Sequence, residues 1–174
     1  MRRLKRNNFV LTTMAACVLA GCVTQRGFPP EHQIANFDMV ERAVLYRGAQ
    51  PNYLGLEWMR DAHGIKSVVN LRNDANPMEL VECGQLGVTY TNLAMSGTIA
   101  PTKAHVDAIL DIIESLPKPV YVHCQYGCDR TGLVVGCWRI RHGTLPADAV
   151  TEANRYGASA FLPFFKEFIR HYRR

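Results

Sequence analysis

Ten residues, His123-Cys124-Gln125-Tyr126-Gly127-Cys128-Asp129-Arg130-Thr131-Gly132, carry the side chains whose types and spacing suit a chemical reaction. A short apolar run, Pro119-Val120-Tyr121-Val122, precedes them, and Leu133-Val134-Val135-Gly136-Cys137-Trp138 follows. The first run, rich in β-favouring residues, predicts a buried strand; the second, without alternation, predicts a buried helix. Between them lies a strand-to-helix turn, where successive backbone N–H groups curl into a nest and the first helical turn adds unsatisfied donors and a positive dipole end. Such a turn binds anions. A cysteine at its mouth is stabilised as the thiolate, itself an anion, so Cys124 is the expected nucleophile. Six positions on, Arg130 offers a planar fork of donors that matches two oxygens of a phosphoryl group, as lysine does not. Gly127 lets the backbone turn without a Cβ, and Thr131 brings a hydroxyl near the sulfur, where it eases departure of the thiolate when a phosphocysteine is hydrolysed.

In these residues the chain resembles the cysteine-based protein tyrosine and dual-specificity phosphatases, whose signature is His-Cys, five residues, Arg, Thr or Ser, Gly; every specified position is present. The resemblance implies hydrolysis of phosphomonoesters, in a phosphorylated protein or a small metabolite, through a phosphocysteine and without a cofactor. It also implies that His123 orients the loop and helps hold the thiolate, and that Gln125, Tyr126, Gly127, Cys128 and Thr131 bind the substrate. Two other functions keep an anion loop with a cysteine. A rhodanese-type sulfurtransferase resembles this arrangement with a shorter, four-residue spacer, and a phosphate-binding scaffold would lack turnover.

Arg47-Gly48-Ala49-Gln50-Pro51, with Ile65 to Arg72 after it, looks like the start of the atypical dual-specificity phosphatases of plants and fungi and their bacterial relatives. Arg47 is expected to be exposed or ion-paired rather than in the pocket. Those relatives act on highly phosphorylated inositols with several basic residues inside the loop. Here the loop reads Gln-Tyr-Gly-Cys-Asp, which argues against polyanionic inositol pyrophosphates. The family's usual acid is an Asp on the loop before the cysteine strand, yet Leu93 to Pro101 contains no carboxylate. Asp129 is the expected proton donor, because a bound phosphoryl dianion would keep it protonated; bracing the loop is its alternative role. Asp74, in the loop after Leu71, is the second candidate.

At 174 residues with 48% apolar content, the chain has the size of one domain. Its formal charge of +5 depends on Arg2, Arg3, Lys5 and Arg6; without these four, 16 basic residues face 15 acidic ones, a balance of +1. No basic patch with interleaved aromatics remains, so nucleic acid is not an expected partner. The basic start, the apolar stretch Phe9 to Ala20 and the small residues after it predict a signal peptide over residues 1–21. Leu19-Ala20-Gly21-Cys22 resembles the lipobox of bacterial lipoproteins, which implies lipidation of Cys22. Val23 in the next position implies the outer membrane, facing the periplasm, and hence a membrane as partner. Residues 22–37, with Gly27, Pro29 and Pro30, are expected to form the lipidated start and a tether, and residues 38–174 the catalytic domain. No Cys-x-x-Cys pair occurs and the histidines are scattered, so no metal site is expected. Export exposes Cys124 to oxidation, and either Cys128 or Cys83 is expected to trap it in a disulfide.

The elements that must position this chemistry are legible from periodicity and caps. Ala43-Val44-Leu45-Tyr46 predicts a strand, Asn52 to Ala62 a helix closed by Gly64, and Lys66 to Leu71 a strand. Asn76-Pro77-Met78-Glu79 starts a helix running to Gly87, with Glu79 in capping-box position, and Val88 to Asn92 is a strand. Thr102 opens a helix with Val106, Ile109, Leu110 and Ile113 on its apolar face and Asp107, Asp111 and Glu114 on a solvated stripe. Pro146 starts another helix, and Ala160 to Tyr172 forms a terminal amphipathic one. The expected fold is an α/β layer sandwich of the phosphatase type, a central mostly parallel sheet flanked by helices, with the ligand at the carboxyl ends of its strands.

Overall fold

A computed structural model describes residues 34–173; the predicted signal peptide and Cys22 lie outside them. Five strands, β1 (Asp38–Glu41), β2 (Leu45–Gly48), β3 (Ser67–Arg72), β4 (Thr89–Met95) and β5 (Val120–His123), form one sheet in the order β1-β2-β5-β3-β4. All neighbours run parallel except β1, which pairs antiparallel with β2 at the edge. The six helices are α1 (Tyr53–His63), α2 (Pro77–Gln85), α3 (Lys103–Ser115), α4 (Asp129–Arg141), α5 (Pro146–Arg155) and α6 (Pro163–His171). This is the expected α/β architecture with a mostly parallel sheet. No helix of the described residues is long and apolar enough to cross a membrane.

Local chemistry explains where the helices begin. Asn52, Asn76 and Thr102 each turn a side-chain oxygen to an N–H of the first turn, at 2.8, 3.0 and 3.2 Å. Gly64 closes α1 in the left-handed region at φ 67°. The two faces of the sheet bury different clusters. Leu45, Val69, Leu71, Val120 and Val122 face α3, α4 and α6, where Val106, Ile109, Leu110, Ile113, Leu133 and Phe165 complete the main core. Tyr46, Val68 and Tyr121 face α1 and α2, with Leu56, Met59 and Cys83. Each aliphatic side chain so buried stabilises the fold by about 1.5–3 kcal/mol.

The sheet register sets up the site. Gly48 in β2 and Asn70 in β3 both stand level with His123, the last residue of β5. The segments leaving the two flanking strands therefore enclose the turn that follows β5.

Two sequence readings need correction. The tether ends earlier than residue 37: Ala35 accepts a hydrogen bond from the Ala49 N–H, and Phe37 stacks among Tyr46, Trp58 and His63. Strand β1 went unrecognised, since only Val40 of its four residues is buried and its ends are charged. The acidic stripe of α3 faces solvent as expected, with Asp111 and Glu114 exposed, and it also pairs with a neighbouring helix. Arg141 of α4 reaches Asp107, Asp111 and Glu114 at 3.4, 2.5 and 3.4 Å, and Tyr172 donates to Asp107 at 2.6 Å.

Candidate active site

The turn from Cys124 to Cys128 is shaped by what grips its carbonyls from outside. Gln125 O accepts from the Gln50 N–H at 3.2 Å, Tyr126 O from the Asn36 amide at 2.8 Å, and Gly127 O from Arg47 Nη2 at 2.6 Å. In a planar trans peptide the C=O and the next N–H point in opposite directions. Pulling three successive carbonyls outward therefore turns the N–H groups of Tyr126, Gly127 and Cys128 inward, and none of the three donates to a protein acceptor among the described residues. Cys124, only 3% exposed, lies at the base of this concavity, with α4 starting at Asp129 on its far side. Three inward N–H groups in succession have the form of an anion nest.

Gly127 is required here twice over. Its φ of 71° is left-handed, and a Cβ on it would lie 2.5 Å from the carbonyl carbon of Gly48 and 2.7 Å from that oxygen. The turn thus rests directly on the backbone leaving β2.

Arg130 extends over the concavity from the first turn of α4, its Nη1 held by Asn73 Oδ1 at 3.3 Å and Met95 O at 3.4 Å. These acceptors come from the ends of β3 and β4, so two loops aim the guanidinium. Thr131 is fully buried, and its hydroxyl has no protein partner among the described residues. Gln125 and Tyr126 form the exposed rim, linked by a 3.3 Å hydrogen bond, and Cys128 caps α4 with its thiol against Tyr126 O and Asn36.

His123 is anchored from below. Its Nε2 lies 2.9 Å from Glu79 Oε1, off the line of a straight hydrogen bond, and its Nδ1 is 3.4 Å from Cys124 O. Burial alone pushes the Glu79 carboxyl up, yet His123, Gln50 and Asn70 together hold it below the usual carboxylate range. Asn70 also donates to Glu79 Oε2 at 2.6 Å. Glu79 therefore braces the catalytic strand rather than closing the capping box its position suggested.

The carboxylates near the site divide by their commitments. Asp129 Oδ1 accepts the Ser159 N–H at 2.7 Å, a bracing contact. Asp74 is gripped by Arg72 at 2.7 and 3.0 Å, and this hydrogen bonding drives its carboxyl down to about 2. Arg47 is neither exposed nor ion-paired, contrary to expectation; it is 1% exposed beneath the turn, with its guanidinium stacked 3.7 Å from the Tyr156 ring centre. Cys83 sits in the cluster on the opposite face of the sheet from Cys124, so it cannot serve as the trapping thiol. Sequence reasoning missed Asn36, Gln50, Asn70, Asn73 and Glu79 as parts of the site. Their one local signal is that they lie just before the domain or at strand ends and helix starts. Among the described residues no group of three or more His, Cys, Asp or Glu side chains is arranged to hold a metal.

Residues 29–168 match the family described as DSP-PTPase phosphatase fused to NAD+ kinase. The putative tyrosine-protein phosphatase OCA1 of Mycosarcoma maydis is 29% identical over 142 residues, covering 77% of this chain and 80% of that one. The probable chloroplastic NAD kinase 2 of rice is 33% identical over 103 residues, or 55% of this chain but only 10% of that protein. The catalytic core of the PP-IP phosphatase SIW14 of Saccharomyces cerevisiae superimposes with a TM-score of 0.70 at 23% identity, over 80% of this chain and 87% of that one. The five-residue span between Cys124 and Arg130 and the family match together set aside the sulfurtransferase alternative. The chain belongs to the cysteine-dependent DSP-PTPase phosphatase family.

Proposed function

We propose that this phosphatase acts on aryl phosphate monoesters, phosphotyrosine in proteins foremost, from an anchored position in the bacterial cell envelope. The observation that carries the substrate class is the supply of positive charge at the mouth. Arg72 is committed to Asp74 at 2.7 Å, and Arg47 is buried beneath the turn. Arg130 is left to meet the phosphoryl oxygens. A polyphosphorylated inositol needs several cations, each charge-assisted hydrogen bond contributing about 1.5–3 kcal/mol. An aryl ester asks for one anion site and an apolar surround. Tyr126 and Ile99 expose about two thirds of their surface and Phe161 94%. Tyr126 is part of the turn, Ile99 lies four residues past the Met95 carbonyl that holds Arg130, and Phe161 lies two past the Ser159 that binds Asp129. Ring stacking there adds about 0.5–1.5 kcal/mol per pair.

In this mechanism Cys124 Sγ attacks phosphorus and the bond from phosphorus to the ester oxygen breaks, the aryl oxide leaving as an anion that solvent protonates, while Arg130 and the inward N–H groups hold the three equatorial oxygens. Water then hydrolyses the phosphocysteine, and Thr131 eases departure of the thiolate. Of the relatives, OCA1 bears a tyrosine-phosphatase name and SIW14 an inositol-pyrophosphate one; the charge around Arg130 favours the first.

The test is the ratio of kcat/KM values for a phosphotyrosine peptide and an inositol pyrophosphate, expected to favour the peptide by about 100-fold if two charge-assisted contacts are missing. Faster turnover of the inositol pyrophosphate would overturn the assignment. Cys124→Ser should abolish turnover and still bind vanadate; Arg130→Ala should lose both. A wild-type protein that binds vanadate and turns over neither substrate would be a scaffold.

A further inference from the structure

Arg47 is poorly explained by stability alone. All four residues of β2 are buried, and Arg47 stands in register with Val122 of β5, two residues before Cys124. Arg47 is 1% exposed, and among the described residues its guanidinium makes one hydrogen bond, to Gly127 O at 2.6 Å, while Nε and Nη1 have no partner. No carboxylate among the described residues lies within ion-pair distance of it, and its other contact is the face of Tyr156 at 3.7 Å. Burying a cation without a counter-ion, and leaving two of its donors unmet, costs more than one hydrogen bond and one ring contact return. A methionine would fill the same space without that cost. What methionine cannot do is hold a carbonyl and keep a positive charge beneath the turn.

Both tasks bear on the reaction. The Gly127 carbonyl and the Cys128 N–H belong to one peptide plane, so the hydrogen bond that fixes the first aims the second into the nest. Burial lowers the pKa of Arg47, while Tyr156, Glu152, Cys124 and Cys128 attract its charge and favour the cationic form.

We propose that Arg47 is a positioning residue of this phosphatase: from beneath the turn it locks the Gly127–Cys128 peptide so that the Cys128 N–H faces the phosphoryl group, and it holds a fixed positive charge under Cys124. The role rests on Cys124-dependent hydrolysis, so Cys124→Ser is assayed alongside. If wild type and Cys124→Ser hydrolyse para-nitrophenyl phosphate alike, the catalytic assignment fails first. If only wild type does, the Arg47 variants are informative.

Arg47→Met should lower kcat about 30-fold, less than the roughly 10²–10³-fold that outright loss of an oxyanion donor costs because the Cys128 N–H is misaimed rather than removed, and should raise the inhibition constant of inorganic phosphate about tenfold. Arg47→Lys keeps the charge but not the fork, so its kcat should stay at least about threefold low. A folded Arg47→Met with kcat and the phosphate inhibition constant both within about threefold of wild type would reduce Arg47 to packing. If Arg47→Met does not fold, Arg47→Lys decides: normal kcat and phosphate inhibition with only a lowered Tm overturns the role.

Discussion

Asp129 commits one carboxylate oxygen to the Ser159 N–H at 2.7 Å, which couples the start of α4 to the loop before α6. Asparagine can accept the same hydrogen bond but is a far poorer proton donor, so the two roles of Asp129 separate cleanly. We expect Asp129→Asn to stay within about threefold of wild type on both an alkyl phosphate and para-nitrophenyl phosphate, and Asp129→Ala to slow both alike. A selective loss on the alkyl ester in Asp129→Asn, by the 10²–10⁴-fold or so that a general acid supplies, would instead assign it the proton. Asp74, with its carboxyl at about 2 beside Arg72, is ionised at neutral pH and holds no proton to give. A site without a prepared acid depends steeply on leaving-group acidity, in keeping with an aryl substrate. Burial against hydrophobic neighbours also pushes the Cys83 thiol up to about 12, a second reason that Cys128 is the remaining candidate to trap Cys124. Mass spectrometry after mild peroxide should show a Cys124–Cys128 disulfide. Sulfinic acid at Cys124 without that link would count against it.

At the scale of elements, the catalytic turn is held by neighbours far away in sequence. Helix α2 supplies Glu79 to His123, and the segment before β1 supplies Asn36 to Tyr126 O and the Cys128 thiol. Leaving a buried polar group without its partner costs about 1–3 kcal/mol, so Glu79→Ala should lower Tm and loosen the turn together. Because the folded Glu79 carboxyl lies below its usual value, the stability it contributes is present above an unfolded value of about 4.3 and is lost as pH falls through the folded one. Glu79→Gln should flatten that acid-side decline in thermal unfolding; an unchanged decline would assign it to other carboxylates. Much of this was legible in the sequence: the nest, the caps at Asn52, Asn76 and Thr102, and the apolar face of α3 are patterns complete within a dozen residues. Arg47, Asn36 and Glu79 were not, since their partners stand 80, 90 and 44 positions away and only the sheet register brings them together. A charged residue inside the short strand Leu45 to Gly48 was the one available hint, and surface exposure was the natural but wrong inference from it.

For the whole molecule, the parallel sheet gathers every functional group at one edge: Cys124 after β5, Gln50 after β2, Asn73 after β3 and Met95 at the end of β4. Asn36 lies at that same edge, so the chain enters the domain beside the mouth of the site. If Cys22 carries the lipid, the eleven residues 23–33 span at most about 40 Å when fully extended, which keeps the mouth close to the membrane surface. The predicted consequence is a restricted reach: the enzyme should dephosphorylate proteins at the same membrane far faster than soluble ones, through effective concentration rather than altered kcat. Cys22→Ala should block incorporation of a fatty-acid label, and since one acyl chain binds membranes only marginally, loss of the multiple chains should release or stall the protein. Inserting a flexible segment of about 30 residues after Gly27 should relax the preference for membrane-bound substrate while leaving para-nitrophenyl phosphate hydrolysis unchanged. Equal labelling of wild type and Cys22→Ala would remove the anchor, and with it the restriction on reach. Labelling of wild type alone with no change of preference on insertion would keep the anchor and discard the restriction.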